Sequence, residues 1–510
     1  MSLLKRFESR LPSTGVGAAL VSFIAIAGLG LAILSAQRVA GTERSFAGPC
    51  HDGYWELGIN WIRGYGYTFE PGGTPAFHRP PLVPGLFGPL TLLPKPVQRP
   101  ALILLQSLML AVMCGLTFDL TRRVLGPRAA RWSLVLLLSY PFLYVDVASP
   151  LNVVTQAMCV TAVVYLLGRE LLLARSTRNL SQSRQTDLSW AVADGSSWNP
   201  GIGSENRDVP SLSWVRAVLL GLAAAAAILT HGTMLLAVPL LIAGAGLVGI
   251  RLGSLRVIKV GVAAGLITLL TLAPWTYRNW CVTGRFIPVV GGAGLQYFVG
   301  IERWSYDEFD GQKPAWQRIV SASLGRDITD TTELIHFWGF KDAALDAIAN
   351  RRMVDDLRAH PGFFAKRVVL NAVEFYAPSV RELLMPRTAP TKRYVARRGA
   401  MSIVHVGLLV MGGLGIWRTA REKKSGPLWL AVASIAVLAG GYLPFVAGIS
   451  HCQYCLQTLP LLAFLAAASV KEPSQECKER AASAETFKLI AYVPRPLGLR
   501  PRRRLNHIGS

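Results

Sequence analysis

Long apolar stretches dominate the pattern of hydrophobic and polar positions along the 510 residues of the chain. A helix of about 18 or more apolar residues can cross a bilayer core of ~30 Å at a rise of ~1.5 Å per residue. We find about ten such stretches and predict an all-α integral membrane protein, with interfacial helices and a partly helical extracytoplasmic region. The predicted spans lie near residues 15–36, 100–118, 130–148, 151–172, 214–231, 233–250, 257–277, 401–418, 427–447 and 453–470.

The composition supports a membrane protein and excludes other classes. Hydrophobic residues make up 51% of the chain and charged residues only 16%, whereas soluble domains carry about 25% charged residues. An ordinary soluble enzyme and a disordered chain are therefore both excluded. The net charge of +23 would suggest a nucleic-acid partner in a polar protein, but in an apolar chain it indicates loops at the surface of membrane lipids.

The distribution of lysine and arginine predicts the orientation, because short cytoplasmic loops are enriched in these residues. If the N-terminus is cytoplasmic, every short basic loop falls on the cytoplasmic side, and ten spans return the C-terminus to that side. The basic residues in these loops are Arg122, Arg123, Arg128, Arg131, Arg251, Arg256, Lys259, Arg418, Arg421, Lys423 and Lys424. Two long segments then fall on the extracytoplasmic face, which we expect to be the active face.

This topology divides the chain into six regions. They are a cytoplasmic tip with the first span (1–36), a first outer loop with interfacial helices (37–99), spans two to seven (100–278), an outer loop region (279–400), the last three spans (401–470) and a basic cytoplasmic tail (471–510). Residues 174–212, rich in Ser, Asn and Asp without apolar periodicity, are predicted to form a flexible cytoplasmic linker.

The first outer loop contains candidate chemistry. Asp52 could act as a general base if an incoming hydroxyl lies within hydrogen-bonding reach. Alternatively, it could cap the amphipathic run 54–62, which is predicted to lie in the membrane interface. Arg79 could bind a phosphate through its planar guanidinium or only reach a lipid headgroup. The apolar stretch 82–93 that follows is too short to span the membrane.

The most specific string of residues ends the seventh span. It reads Pro274-Trp275-Thr276-Tyr277-Arg278-Asn279, followed by Gly284-Arg285-Phe286-Ile287-Pro288 and the pair Gly291-Gly292. This string resembles the multispanning bacterial glycosyltransferases of the GT-C class, the family 39-like relatives of protein O-mannosyltransferases and of the aminoarabinose transferase that acts on lipid A.

Other segments fall in the same order as in that family, so that the resemblance covers roughly residues 10–470. Asp52 and Tyr54, followed by Gly64-Tyr65-Gly66-Tyr67, resemble the acidic motif of the first outer loop and its Gly-rich continuation. The remaining similar segments are Arg79 to Pro84, His360 to Phe364 with Lys366 and Arg367, and Cys455 to Leu462.

The resemblance implies an inverting transferase in the bacterial inner membrane. Its donor would be a monosaccharide on a polyprenyl phosphate, and its acceptor a hydroxyl group of a protein, lipid or cell-envelope glycan. By position, Asp52 would be the base, and Arg79 and Arg278 would bind the donor phosphate, with Tyr54 and Asn279 in support. Arg278 could also be an interfacial anchor, as arginine beside tryptophan at the end of a span often is.

The chain departs from the family pattern at two places. Many relatives carry a second acid before the fourth span, where this chain has Asn152, and Asp146 is the nearest acid. Relatives often have Arg-Tyr or Arg-Phe before the last span, where this chain has Gln453 and Tyr454. These changes leave open a different substrate or a catalytically inactive scaffold. A third alternative, a transporter or flippase for lipid-linked sugars, would require ionisable residues inside several spans.

Cysteine and histidine residues gather on the predicted outer face without the spacing of a recognisable zinc site. A divalent metal held by His51, His78 and His451 remains an open alternative, and no other cofactor is expected. Cys114 and Cys159 lie inside predicted spans and are expected to be small packing residues.

Overall fold

The computed structural model describes residues 11–41, 53–193, 214–292, 343–376, 392–421, 426–440 and 455–470. In these ranges the regular elements are helical, apart from one isolated β-bridge between Thr68 and Pro75. The first helices are α1 (Gly15–Val39), α2 (Tyr54–Ile62), α3 (Leu82–Phe87), α4 (Lys95–Leu125), α5 (Pro127–Leu138), α6 (Phe142–Val145) and α7 (Val153–Ala193). They are followed by α8 (Trp214–Ile228), α9 (Met234–Arg251), α10 (Leu255–Thr283), α11 (Ala343–Ala359), α12 (Pro361–Tyr376), α13 (Lys392–Arg421), α14 (Gly426–Gly440) and α15 (Leu459–Ala467).

Six of the described helices are long and apolar enough to cross a membrane. They are α1, α4, residues Val153–Arg178 of α7, α9, α10 and residues Ile403–Arg421 of α13. The prediction of an all-α integral membrane protein is therefore confirmed, whereas the count of about ten spans is not. Two shorter apolar helical stretches, Leu82–Leu92 and Trp214–Ile228, accompany the six.

The third predicted span, 130–148, is not one continuous helix. Helix α5 ends at Leu138, and the chain continues through Pro141 into the short α6 and a 3-10 helix over Asp146–Ala148. Proline lacks the backbone N–H that would continue the helix, and it disfavours a helical conformation of the preceding residue. Hydrophobicity predicted the location of this segment in the core but not its interruption.

Helix α7 is longer than the sequence pattern suggested. It continues to Ala193, so the first part of the segment 174–212, predicted to be a flexible linker, is helical. Neither glycine nor proline occurs between Arg169 and Ala193, and straight-chain polar residues have good helix propensity. The polar composition of this segment therefore does not interrupt the helix.

Two apolar clusters form the core of the described helices. One lies among α1, α4, α5 and α15, with fully buried side chains such as Ile26, Leu110 and Leu134. The other lies among α7, α8, α9 and α10 and includes Val163 and Ala264. Cys114 and Cys159 are buried in these clusters, as expected of packing residues.

A buried carboxylate in the middle of α7 links this helix to the first turns of α8 and α10. Glu170 of α7 accepts hydrogen bonds from Arg216 of α8 and Arg256 of α10, each at 3.1 Å. Removing one partner from a buried ion pair typically costs several kcal/mol. Arg256, which the sequence identified only as a topology signal, thus also contributes to helix packing.

Candidate functional site

Helix α2 begins at Tyr54, two residues after Asp52, which lies outside the described residues. The N-cap residue of α2 is Gly53, with φ of 71°. The alternative interpretation of the Asp52 side chain as a helix cap stays a prediction. The predicted amphipathic helix over 54–62 is confirmed, with Tyr54, Trp55 and Leu57 buried.

Gly53 is expected to tolerate no side chain. Its φ is in the left-handed region, and an added Cβ would lie 2.1 Å from Cε1 of Phe69. We expect Gly53→Ala to lower the free energy of unfolding by about 2 kcal/mol or more, because backbone strain and a ring clash act together. Thermal unfolding of the detergent-solubilised protein measures the change.

Gly64→Ala is the matched control for this substitution. Gly64 also has a positive φ, of 81°, but an added Cβ would meet nothing within 4 Å. Its variant should show the strain without the clash. Equal destabilisation by the two substitutions would contradict the role of the Phe69 ring in fixing the residue next to Asp52.

Tyr67 lies at the centre of the candidate site. Its hydroxyl is 3.0 Å from the carbonyl oxygens of both Arg79 and Pro80, to which it can donate. Its ring makes edge-on contacts with the rings of Trp61 and Trp275, at centroid distances of 5.4 and 4.9 Å. The loop that contains Tyr67 is thereby packed against the chain just before α3 and against the end of α10.

Arg278 approaches the same tyrosine from α10. Its guanidinium carbon lies 5.3 Å from the ring centroid of Tyr67 and 4.9 Å from that of Trp275. Its Nη1 donates to the carbonyl oxygen of Ala76 at 2.5 Å and to Oδ1 of Asn279 at 3.1 Å. The side chain of Arg278 therefore connects α10 to the segment between α2 and α3, and its alternative role as an interfacial anchor stays a prediction.

Arg79 lies on the other side of this cluster. Its guanidinium carbon is 5.7 Å from the ring centroid of Tyr54. Burial raises the pKa of Tyr67 well above its ordinary value, Tyr54 adds to that increase, and the charges of Arg278 and Arg79 act in the opposite direction. The structure therefore brings Arg79, Arg278 and Tyr54 together around Tyr67, although the two arginines are far apart in the sequence.

His231 belongs to the surroundings of Arg79 as well. Burial, together with the positive charge of Arg79, lowers the pKa of His231 from 6.5 to about 3. Its Nδ1 accepts a hydrogen bond from the backbone N–H of Thr233 at 3.3 Å. A neutral imidazole at this turn adds no further positive charge next to Arg79.

Asn279 fixes the chain after the end of α10. It is fully buried, and its Nδ2 donates to the carbonyl oxygens of Ile287 and Val289, each at 3.1 Å. Trp275 donates from Nε1 to Val289 at 2.8 Å, and Thr276 donates to Pro288 at 2.7 Å. Trp275, Thr276 and Asn279 therefore hold residues 287–289 against α10, and Asn279 supports the position of this segment.

The sequence reasoning missed Asp346 of α11. This carboxylate is 6% exposed, and its Oδ1 accepts a hydrogen bond from the backbone N–H of Gly292 at 2.8 Å. Burial raises the pKa of Asp346, and the hydrogen bond from Gly292 acts in the opposite direction. Nothing in the pattern of charged residues in the long outer region distinguishes it from its neighbours.

The residues at which the chain departs from the family pattern do not lie together in one place. Asn152 is buried and donates from Nδ2 to the carbonyl oxygen of Thr230 at 3.2 Å, next to His231. The backbone of Asp146 is in the 3-10 helix that follows α6. Gln453 and Tyr454 lie outside the described residues, so their predicted place near the site stays a prediction.

Metal binding was an alternative for three histidines, of which His51 and His451 lie outside the described residues. His78 is half-buried and its ring stacks against that of Phe77 at a centroid distance of 4.0 Å. In the part of the chain that the structure describes, no three His, Cys, Asp or Glu side chains are close enough together to hold a metal ion. Cys281 is exposed and free.

Comparisons with known proteins find membrane proteins. No family model matches the chain. A UPF0283 membrane protein of Rhizobium meliloti (strain 1021) is 29% identical over 167 residues, which are 31% of this chain and 45% of that protein.

Two solved structures that resemble the chain are glycosyltransferases. The oligosaccharyltransferase AglB from Archaeoglobus fulgidus, solved with dolichol-phosphate, has a TM-score of 0.46 and 14% identity over 96% of this chain and 55% of AglB. ArnT from Cupriavidus metallidurans, solved with undecaprenyl phosphate, has a TM-score of 0.36 and 17% identity over 95% of this chain and 80% of ArnT. The chain spans about half the length of AglB and of the Rhizobium protein.

Proposed function

We propose that the chain is an inverting membrane glycosyltransferase. It transfers a monosaccharide from a polyprenyl-phosphate donor to a hydroxyl group of a protein, lipid or cell-envelope glycan, on the extracytoplasmic face of a bacterial inner membrane. The observation that carries the proposal is the convergence of Arg79 and Arg278 on Tyr67. Two half-buried cations from distant parts of a membrane protein are expected to have a functional reason.

The proposed reaction needs few protein groups. Asp52 accepts the proton of the acceptor hydroxyl, whose oxygen attacks the anomeric carbon of the sugar. The bond between that carbon and the phosphate oxygen breaks, and the electron pair leaves with the polyprenyl phosphate. Because attack and departure occur on opposite faces of the sugar, its configuration inverts. Arg79 and Arg278 stabilise the negative charge of the departing phosphate.

The contacts of Arg278 favour preorganisation for this role. Its hydrogen bonds to Ala76 and Asn279 both use Nη1, so Nη2 and Nε take no part in these two hydrogen bonds. A guanidinium held by a backbone carbonyl and two aromatic rings loses little further side-chain entropy when it binds a phosphate.

The proposal is tested by following a label from donor to acceptor. Membranes that contain the wild-type chain are expected to move radiolabelled sugar from one of a panel of undecaprenyl-phosphate monosaccharides into a cell-envelope fraction, with release of undecaprenyl phosphate. Membranes without the chain are the control. Translocation of intact donor across liposomes without an acceptor would instead establish a transporter, and donor binding without turnover over the whole panel would establish an inactive scaffold.

A further inference from the structure

We propose that Asp346 is a positioning residue for the donor site. It holds the Gly291–Gly292 turn against Phe77 and His78, and thereby fixes the chain that carries Arg79. This proposal rests on the proposed function, because it assigns Asp346 a part in binding the donor phosphate. It connects the long outer region, to which the sequence assigned no chemistry, with the first outer segment.

The turn is enclosed on two sides. Gly291 donates its N–H to the carbonyl oxygen of Phe77 at 3.1 Å, and Gly292 donates its N–H to Oδ1 of Asp346 at 2.8 Å. An added Cβ on Gly291 would lie 2.8 Å from the ring of Phe77 and 2.9 Å from Oδ2 of Asp346. The fit therefore requires glycine at this position, with the carboxylate on one side and Phe77 on the other.

Gly292 brings the turn next to the residue that precedes Arg79. Its φ is 102°, and an added Cβ would lie 3.2 Å from Cδ2 of His78. Glycine adopts a positive φ without strain, but its backbone is conformationally free, so hydrogen bonds to the turn are what fix this conformation. A hydrogen bond between a backbone N–H and a carboxylate is stronger than one between neutral groups. Asp346 supplies that carboxylate.

The polar neighbours of Asp346 favour the ionised form of its buried carboxylate. The side chain is 6% exposed, and a buried carboxylate is costly unless it accepts hydrogen bonds. Asn350, one turn further along α11, and the charge of Arg285 also favour its ionised form.

A purely local alternative is that Asp346 only stabilises the first turn of α11, where a negative charge interacts favourably with the helix dipole.

Three variants separate these roles. Asp346→Ala removes the acceptor, whereas Asp346→Asn keeps an oxygen acceptor and loses the charge. Asp355→Ala is the matched control, because Asp355 is an exposed aspartate of the same helix. Each full-length variant is purified in detergent and examined by hydrogen–deuterium exchange, by binding of undecaprenyl phosphate and by transfer kinetics.

We expect Asp346→Ala to accelerate exchange in peptides that contain residues 286–292 and 76–80. We also expect it to weaken binding of undecaprenyl phosphate, and to raise the donor KM, by about tenfold with little change in kcat. Asp346→Asn should restore most of the protection and binding, and Asp355→Ala should match the wild type.

The outcomes separate this proposal from the proposed function. Faster exchange confined to α11, with normal binding, would overturn the positioning role in favour of a local one. Faster exchange in the peptides that contain residues 286–292 and 76–80, without a change in binding of undecaprenyl phosphate, would overturn the link between Asp346 and the donor site. If the wild type itself neither binds undecaprenyl phosphate nor transfers sugar, the proposed function fails, while the exchange data still test the contact between Asp346 and the turn.

Discussion

Replacing Asp52 by asparagine is expected to reduce kcat for sugar transfer by about 10²- to 10⁴-fold, the usual contribution of a general base. The amide has nearly the shape of the carboxylate but cannot accept the proton of the acceptor hydroxyl. The donor KM should change little, because the proposed function assigns binding of the donor phosphate to Arg79 and Arg278 and not to Asp52. Initial rates with purified donor, measured in membranes with equal amounts of each variant, test this expectation.

Glu70→Gln is the matched control for the Asp52 variant. Glu70 is an exposed carboxylate in the same outer segment, and its amide should leave both kcat and KM unchanged. Equal rates for the wild type and Asp52→Asn would defeat the assignment of the base. The neighbouring Gly53 has a left-handed conformation beside the ring of Phe69, which fixes where α2 begins.

The fold was predictable where it depends on hydrophobicity and less so where it depends on backbone interruptions. The apolar stretches located α1, α4, α7, α9 and α10, because a membrane helix must bury a continuous apolar surface. The same reasoning joined residues 130–148 into one span and missed the break at Pro141. It also ended α7 too early, because polarity was taken as the end of the helix although residues 169–193 contain neither glycine nor proline.

The site was predictable as a set of motifs, but its geometry was not. Arg79 and Arg278 were identified from strings that resemble a known family, and the structure places them around Tyr67. Tyr67 was visible only as part of a Gly-Tyr repeat, because a pattern does not show that its hydroxyl reaches the carbonyl oxygens of Arg79 and Pro80. Asp346 could not be found, since its importance comes from a contact 54 residues away.

The aromatic residues explain how half-buried cations are tolerated in this cluster. The rings of Tyr54, Tyr67 and Trp275 form cation–π contacts with the two arginine side chains, each contact worth about 0.5–2 kcal/mol. The carbonyl oxygen of Ala76 also accepts a hydrogen bond from Arg278. Tyr67, Trp275 and Ala76 stabilise the guanidinium group of Arg278 without neutralising it, because none of these three partners carries a negative charge.

Substitutions of Arg278 are expected to produce the largest loss of donor affinity. Arg278→Ala removes a charge-assisted contact to the phosphate and should raise the donor KM by about 10- to 100-fold. Arg278→Lys keeps the charge but loses the planar fork and its stacking on Trp275, so the donor KM should rise by less than in Arg278→Ala. The loss of the contacts to Ala76 and Tyr67 should also lower the free energy of unfolding by about 1–3 kcal/mol.

Donor kinetics and thermal unfolding of the same preparations separate the two effects of Arg278. Arg63→Ala is the matched control, since Arg63 is an exposed arginine at the end of α2, and it should change neither quantity. A variant that unfolds more easily but keeps the wild-type donor KM would reduce Arg278 to a structural link between α10 and the first outer segment. A donor KM that is raised in Arg278→Ala and less raised in Arg278→Lys would instead show that donor binding requires the positive charge of Arg278. Lysine keeps this charge but cannot reproduce the hydrogen bonds and ring contacts that hold the guanidinium in place.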